Sequence, residues 1–422
     1  MPTYYITTLN IIIPIFVILI LLEIFYANII NKSFVIRSMD TLSSLCSGLT
    51  NVIRDVLGLT IIIVSYSFMV NNFALFTIKT TWITYVIAFI GIDFAGYWVH
   101  RINHSINYFW NHHIVHHSSE EFNLACALRQ SISNFFSLTF VFLVPTAFVG
   151  VPAEVITFLA PLHLFAQYWY HTRLIGKLGF LEYILVTPSH HRVHHAINKE
   201  YLDKNLSQIF IIWDKLFGTF QKELNEVPPV YGVKRPVRSW NPIFINFTHL
   251  MVLIKDAWRT NNWYDKLRIW FMPTGWRPKD VENEFPIVSI DSSNDYEKYY
   301  PNLSMKLQIW SWIQYTLVFC FMMYFINNLY RISFVEGIQY AVFLYVSIYG
   351  LTSLMDQDSY AWIFEIGKSL FGFVLIIFYG DWFFISTYSD YAITLLQIYF
   401  VSSSTIVLYF SYYEKKLIPV TN

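Results

Sequence analysis

Long apolar stretches separated by polar segments constrain the fold of this chain more than any other feature. Residues 9–30 are almost wholly apolar and are interrupted by Glu23. We predict a membrane-spanning helix there, because about 20 apolar residues cross the roughly 30 Å hydrocarbon core of a bilayer. The stretch lacks the basic segment and small-residue cleavage site of a signal peptide, so we expect a retained anchor. Further spans are predicted over residues 56–78, 80–99, 308–330, 337–354, 369–387 and 391–413.

The overall composition also favours a membrane protein. Hydrophobic residues make up 55% of the chain and charged residues only 13%, too few to cover its surface with polar groups. The formal net charge is zero, which gives no indication of a nucleic-acid partner. Cys46, Cys126 and Cys320 show no CxxC spacing, so we expect neither a disulfide framework nor a thiolate metal site.

Histidine is concentrated in one part of the chain. All 13 histidines lie between His100 and His249, and ten of them form three tight groups. Residues three or four apart share one face of a helix, so each group can direct two or three imidazoles at one point. The groups contain one HxxxH and two HxxHH motifs: His100 and His104; His112, His113, His116 and His117; His190, His191, His194 and His195.

These histidines predict a metal site. Neutral imidazole suits iron, zinc, copper and nickel, and eight clustered imidazoles are too many for one ion, so we predict two metals. A low-complexity, metal-buffering loop is the alternative, but long apolar stretches separate the groups. The spacing favours His113 over His112 and His191 over His190 as ligands. The predicted ligands from the motifs are His100, His104, His113, His116, His117, His191, His194 and His195.

An apolar tract over residues 132–170 separates the second group from the third. It is broken around Gly150 and Pro152, which predicts a helical hairpin that leaves and returns on one side of the membrane. The histidine groups can share a site only if they emerge on that same side. We predict His171, which follows the hairpin, as a ninth ligand, whereas His163 is expected to be a packing or channel residue and His249 has no predicted role.

Three further residues are predicted to contact or orient the ligand histidines without binding metal themselves. An Asp93 side chain facing lipid would be costly, and Asp93 recurs at helical spacing with Tyr97 and His100. We therefore predict that Asp93 fixes the tautomer of a histidine in one of the three groups, which we call a box histidine. Its alternative is a pairing elsewhere in the helix bundle. His190 is expected to lie behind the ligands in a similar way. Arg129 is expected to orient either a polar headgroup or a box residue.

The remaining chain completes an all-α, polytopic membrane bundle. We divide it into N-terminal membrane helices (1–99), a catalytic region (100–306) and C-terminal membrane helices (307–422). Residues 172–306 are polar and charge-rich and are predicted to form a mostly helical cap that carries the third histidine group. Positive charge predicts that the histidines face the cytosol, with the amino terminus outside and the carboxyl terminus inside. The cytosolic side would collect Lys32, Arg37, Arg54, Arg101, Arg129, the cap, Lys368, Lys415 and Lys416, leaving Lys79 and Arg331 opposite.

The motifs resemble those of the fatty acid hydroxylase and sterol desaturase superfamily, whose members hold such histidines around a non-haem di-iron centre. The stretches DFAGYWVHRINH, HHIVHHSSEEFNLACALRQS and TPSHHRVHHAINKEYLDKN are similar to those of its alkylglycerol monooxygenase family. The similarity continues into SLMDQDSYAWIFEIGK. The resemblance implies cleavage of the ether bond of an alkylglycerol lipid with O2 and tetrahydrobiopterin. It also implies the endoplasmic reticulum membrane in a eukaryote or the inner membrane in a bacterium.

One position departs from the family pattern. Relatives have a glutamate directly after the HxxxH motif, where this chain has Ser105. If that acid helps to bind the pterin, Glu120 and Glu121 are candidate replacements for it. The alternative for both glutamates is an exposed pair at the cytosolic rim.

Two other functions compete with ether cleavage. One is a sterol, sphingolipid or fatty acyl hydroxylase or desaturase that receives electrons from a separate cytochrome or ferredoxin partner. The other is a membrane metal transporter, which would need ionisable residues along the middle of several spans. The histidines gather instead at one membrane face, which favours an enzyme.

Overall fold

The computed structural model describes residues 3–30, 36–59, 64–134 and 138–414. Within those ranges the regular elements are helices and no strand is present, which confirms the all-α prediction. The α-helices in chain order are α1 Thr3–Phe25, α2 Ser38–Val56, α3 Tyr66–Phe73, α4 Trp82–Ser105, α5 Asn107–His117, α6 Thr139–Val149, α7 Ala153–Phe165, α8 Pro188–His194, α9 Ile212–Phe217, α10 Pro242–Arg259, α11 Trp263–Arg268, α12 Lys279–Glu284, α13 Met305–Asn328, α14 Phe334–Met355, α15 Ala361–Tyr379 and α16 Ala392–Tyr409.

Six helices of the described chain are long and apolar enough to cross a membrane, which confirms an integral membrane protein. They contain α1, α4 and the four C-terminal helices α13 to α16. Their spans are Ile6–Ile29, Trp82–Ser105, Met305–Arg331, Phe334–Met355, Ala361–Tyr379 and Ala392–Tyr413. Lys32, Lys415 and Lys416, which entered the predicted charge bias, lie outside the described residues.

The span predicted over residues 56–78 is wrong. Helix α2 ends at Val56, and the helix that follows within the described part of this stretch, α3, has only 8 residues. Two local signals explain the interruption. Gly58 adopts a left-handed conformation with φ +65°, which terminates a helix readily. The Ser65 side chain then accepts a hydrogen bond from the Phe68 N–H at 3.2 Å and starts a new helix.

The span predicted over residues 369–387 lies too far towards the carboxyl terminus. Helix α15 covers Ala361–Tyr379 and ends at Gly380, whose φ is +71°. The predicted span begins after Glu365 and Lys368 because charged residues disfavour a membrane-spanning helix. Their side chains bond each other inside the bundle, and Lys368 also donates to the Tyr399 hydroxyl at 2.9 Å. A paired charge is tolerated where a single one is costly.

Helix α4 and the hairpin of α6 and α7 deliver the histidines. The hairpin packs along α4, with Phe142 stacked on Trp98 and Phe158 against Tyr85 at ring-centroid distances of 6.2 and 6.0 Å. It therefore leaves and returns at the histidine end of α4. These elements form one apolar cluster with α3, whereas α1, α2 and α13 to α16 form a larger one.

The cap over residues 172–306 contains helices, but most of them are short. Helix α10 has 18 residues, whereas α9, α11 and α12 have 6 each. The intervening chain is irregular. Isolated bridges join it, including Leu185 with Phe210 and Ala196 with Tyr231.

The tip of the hairpin offers a test of this packing. Gly150 has φ +87°, and a Cβ added there would lie 1.9 Å from the Phe76 carbonyl oxygen. We expect Gly150→Ala to destabilise the protein by at least about 1 kcal/mol, because a left-handed conformation is costly for residues with a Cβ and the contact is with backbone. The measurement is the thermal unfolding midpoint in detergent. Gly367→Ala is the control, since nothing lies within 4 Å of its added Cβ. Equal midpoints for the two variants would contradict the hairpin geometry.

Candidate metal centre

The structure brings the nine predicted ligand histidines together in two groups. One nitrogen from each ring lies within 4.8 Å of those from the other rings in its group. The groups adjoin, since the rings of His117 and His195 stack with centroids 4.4 Å apart. The five-histidine group is His100, His104, His113, His117 and His194, and the four-histidine group is His116, His171, His191 and His195.

The HxxHH motifs serve both groups at once. On α5, His113 and His117 lie one turn apart and enter the five-histidine group, whereas His116 enters the other. The third motif reverses the roles, with His191 and His195 in the four-histidine group and His194 in the five-histidine group. A spacing of four places two rings over one another, and the residue in between points to the neighbouring group.

Ring nitrogens in each group approach one another closely. The Nε2 atoms of His100 and His113 are 2.9 Å apart, and those of His171 and His191 are 2.8 Å apart. His195 Nε2 lies 3.0 Å from His191 Nε2. Lone pairs gathered at such distances repel one another unless a cation lies among them. The geometry is that of converging metal ligands.

The opposite nitrogens of several rings are held by acceptors. Since a carbonyl oxygen can only accept, the Nδ1 atom that contacts it carries the proton and the Nε2 lone pair points inward. His104 differs from the others because its Nδ1 contacts the Asp203 carboxylate, at 3.1 Å. The carbonyl pairs are His100 with Leu206 at 2.7 Å, His116 with Arg129 at 3.2 Å, His171 with Gln167 at 3.0 Å and His194 with Lys204 at 3.0 Å.

Burial keeps these rings neutral. It lowers the pKa of His113, His171 and His194 well below the ordinary value, and the neighbouring histidines lower it further. For His116 the same causes lower the pKa to about 3. Neutral imidazole is the form that binds metal, so these rings need no deprotonation before binding.

Two buried nitrogens without a hydrogen-bond partner also indicate a metal site. The Nε2 atoms of His104 and His194 are buried and have no hydrogen-bond partner, although buried polar atoms almost always have one. Both residues belong to the five-histidine group. The residues therefore fit two metal ions bound by neutral nitrogen, and in this donor set iron and zinc are both chemically acceptable.

The other four histidines lie outside the two groups. His112 and His190 are next to His113 and His191 in the chain, but only His113 and His191 belong to the two groups. His190 lies behind the site, where its main-chain carbonyl accepts from the Asn205 side chain at 3.0 Å. His249 is buried on α10, and His163 is buried on α7.

Asp93 does not hydrogen-bond a box histidine, so that prediction is wrong and the pairing elsewhere in the bundle is correct. Its buried carboxylate accepts from His163 Nε2 at 2.8 Å and from the Trp213 indole at 2.9 Å. It also accepts from the backbone N–H groups of Ile209 and Phe210 at 2.9 and 3.1 Å. Asp93 thus joins α4 to the hairpin and to the loop before α9.

Arg129 orients a box residue, but through its backbone. Its carbonyl oxygen is the acceptor for His116. The guanidinium is buried and points away, donating to Asp40 Oδ2, Ser44 Oγ and Ser118 Oγ at 2.9 Å each. This network fixes the segment that supplies the carbonyl, and it leaves the guanidinium committed within the protein.

Glu120 and Glu121 are not an exposed pair, so that alternative is wrong. The Glu120 carboxylate accepts from the Tyr296 hydroxyl at 3.0 Å and from the Tyr299 N–H at 2.5 Å. Glu121 is buried among three cations at 2.5 to 3.2 Å, and every oxygen of the two carboxylates has a protein partner. Those cations are Arg37, Arg173 and Lys298. Neither glutamate is free for a pterin in this arrangement.

The sequence reading missed two acidic residues of the site. Asp203 lies in the loop that also supplies the Lys204 and Leu206 carbonyls, so one loop holds three rings of the five-histidine group. Glu23, on α1, accepts from the Thr172 hydroxyl at 2.6 Å and from the Leu124 N–H at 2.7 Å. Its position inside an apolar span was the available signal, since such acids are usually functional.

Comparison with known proteins identifies the family. A family model described as fatty acid hydroxylase matches residues 85–219, which contain all nine clustered histidines. The chain is 33% identical to alkylglycerol monooxygenase of Homo sapiens over 371 residues, covering 86% of this chain and 81% of the human protein. The chain belongs to the alkylglycerol monooxygenase family. It is therefore an oxidoreductase, and the family predicted from the motifs is confirmed.

Other members of the family match shorter parts of the chain. Alkylglycerol monooxygenase of Xenopus tropicalis is 36% identical over 286 residues, covering 67% of this chain and 63% of that protein. The protein of the same name from Danio rerio is 36% identical over 267 residues, covering 63% and 59%. No solved structure matches this chain.

The division into ligands and neighbours can be tested by metal content. We expect His113→Ala and His191→Ala each to lower bound metal from about two ions per chain to about one or fewer, because each removes an inward nitrogen from one group. His112→Ala and His190→Ala are the matched controls and should retain both ions. Elemental analysis of purified protein provides the measurement. Equal metal loss in His112→Ala and His113→Ala would reject the assignment.

The role of Asp203 predicts a graded effect. We expect Asp203→Gly to weaken metal binding about 10- to 100-fold, because the carboxylate behind His104 is lost. Glycine tolerates the φ of +55° found there, so backbone strain is not added. Asp203→Asn keeps an acceptor oxygen and should retain most of the affinity. Metal release in a chelator titration gives the readout, with Glu200→Gly, another exposed acid in the same segment, as control. Indistinguishable glycine variants would exclude the role.

Proposed function

We propose that the protein cleaves the ether bond of alkylglycerol lipids. One atom of O2 is inserted at the chain carbon attached to the ether oxygen, and the resulting hemiacetal breaks into a fatty aldehyde and a glycerol derivative. The single observation that carries the proposal is the pair of converging imidazole groups in a chain of the alkylglycerol monooxygenase family. A membrane protein suits this substrate, whose tail stays in the bilayer.

The nine clustered histidines are proposed as ligands of two iron ions. When bound, iron would supply the activation of O2 that carbon hydroxylation needs. The chain contributes the neutral nitrogen donors, and the carbonyls behind the rings keep their lone pairs directed inward. Phe122 and Tyr170 are buried against the four-histidine group, with ring centroids 5.9 and 5.0 Å from His171, and help to exclude water from it.

The reductant is proposed as tetrahydrobiopterin, which would supply two electrons for the second oxygen atom to leave as water. This proposal depends on family membership, and no residue is assigned to the pterin. Ser105, which replaces the family glutamate, donates to the Arg101 carbonyl at 2.6 Å. The alternative is a sterol, sphingolipid or fatty acyl hydroxylase or desaturase with a separate electron-donor protein, and Ser105 is the observation that keeps it open.

The histidine side of the membrane is proposed to be the cytosol. Arg37 and Arg173 both contact Glu121, next to the second histidine motif. Lys79 precedes α4, at the end opposite to His104, which agrees with the positive-inside rule. We propose the endoplasmic reticulum or a bacterial inner membrane from the family resemblance, and the division at residues 99 and 306 from the sequence pattern.

A lipid assay tests the reaction. Membranes containing the protein are incubated with a chain-labelled alkylglycerol, O2 and reduced pterin, and we expect labelled fatty aldehyde as the product. His113→Ala should abolish it because a proposed iron ligand is lost, whereas His112→Ala should retain it.

The competing reaction gives a different result in the same assay. A redox-protein fraction replaces the pterin, and sterol, sphingolipid and acyl substrates replace the alkylglycerol. Hydroxylated or desaturated products there, with no aldehyde under any reductant from iron-loaded protein, would overturn ether cleavage in favour of the alternative.

A further inference from the structure

Helix α10 has an unusual distribution of polar and apolar residues for the surface of a cap. Its buried face combines Ile245 and Leu253 with Asn246, His249 and Asp256. Its exposed residues include Met251 and Trp258, the latter with 85% of its surface accessible. A surface helix in water normally presents polar side chains on its exposed face. The exposed apolar side chains therefore indicate contact with something other than water.

The same pattern continues in α11 and the residues that follow it. Trp263 and Leu267 lie four residues apart on α11 and share one face, and Phe271 lies in the turn that follows the helix. Each of the three is at least 70% exposed. Tyr264 lies beside them and is also exposed. Neither α10 nor α11 is among the six spans of the described chain. This apolar surface thus belongs to the polar cap and lies outside the membrane-spanning helices.

Main-chain hydrogen bonds place α11 at a defined depth. The Asn107 N–H donates to the Met272 carbonyl and the Thr274 N–H donates to the Ser105 carbonyl, at 3.0 and 3.1 Å. Both contacts are at the carboxyl end of α4, a 24-residue helix about 36 Å long. Since the hydrocarbon core is roughly 30 Å thick, the end of α4 lies near the headgroups. Phe271 and α11 must lie near the same level.

The exposed charges of these helices are positive. Lys255 and Arg259 are exposed and form no ion pair within the described residues. The two acids of these helices point inward, where Asp256 bonds Arg277 and Asp265 bonds Arg268. Aromatic side chains next to exposed cations are typical of helices that lie in the bilayer interface, especially one with anionic lipids.

We propose that α10 and α11 form an interfacial platform that lies in the leaflet on the histidine side. Trp258, Trp263, Leu267 and Phe271 insert at the boundary between headgroups and acyl chains. Lys255 and Arg259 contact anionic phospholipid headgroups. The Thr274 hydroxyl donates to the His104 carbonyl at 2.6 Å, so the platform also fixes the five-histidine group at headgroup depth. This placement holds whichever lipid is oxidised.

Depth-dependent fluorescence quenching tests the platform in the full chain. Trp258→Cys and Leu267→Cys are made with Cys320→Ser, since Cys46 and Cys126 are buried, and are labelled with bimane in nanodiscs. We expect quenching by acyl-brominated lipid, as at Leu370→Cys on the exposed face of span α15, and protection from iodide. Glu200→Cys, exposed in the cap, should show the reverse. Iodide quenching without bromolipid quenching at Trp258→Cys and Leu267→Cys would overturn the proposal.

A second measurement tests the cations and the competing occupants. Phosphatidylserine in the nanodisc should raise the thermal midpoint of the native protein, and the rise should be smaller in Lys255→Gln/Arg259→Gln and at high salt. Lys199→Gln/Lys222→Gln changes as many exposed cations and should keep the full rise. An equal rise in both double variants would overturn the contact with anionic lipid. Efficient bis-maleimide crosslinking between copies through Leu267→Cys would assign the face to a second chain instead.

Discussion

Nine imidazole rings must stay neutral, dehydrated and oriented with one nitrogen inward, and the surrounding structure is arranged around that requirement. A buried polar ring without a hydrogen bond costs on the order of 1–3 kcal/mol, so nine of them would be prohibitive without acceptors and a ligand. Helical carbonyls are already used within their helices. The acceptors therefore come from positions just beyond helices, such as the Gln167 carbonyl after α7 and the Arg129 carbonyl after a short 3-10 turn.

The loop from Asp203 to Leu206 shows how such acceptors are held. Asp203 and Asn205 have φ of +55° and +52°, a conformation that asparagine and aspartate tolerate better than most residues. The buried Asp214 carboxylate accepts the Leu206 and Ser207 N–H groups at 2.7 and 2.9 Å. Strain of about 1 kcal/mol or more at each such residue persists only where surrounding bonds fix it. Here those bonds aim three acceptors at the five-histidine group.

The sequence predicted which histidines cluster better than it predicted the residues that support them, and the reason is the range of each signal. Spacing within one helix separates His113 from His112, because it depends on residues a few positions apart. Asp93 was identified as a buried functional acid, but its partner His163 lies 70 residues away on the hairpin. Main-chain acceptors leave no residue-type signal at all. Glu121 resembled a surface acid because the cations that bury it come from three distant segments.

The two groups differ in ways that follow from their supports. Five nitrogens converge in one and four in the other, so an ion bound in the four-histidine group would have more positions left for other ligands. In the five-histidine group, His104 is held by the Asp203 carboxylate, whose side chain is 70% exposed, and a carboxylate makes a ring a stronger donor than a carbonyl does. Thr172 directly follows His171 of the four-histidine group, and its hydroxyl donates to the Glu23 carboxylate on α1. The same carboxylate accepts from the N–H of Leu124, which lies two residues after Phe122. The supporting carboxylate thus comes from the cap in one group and from a membrane helix in the other, although the cap supplies rings to both groups.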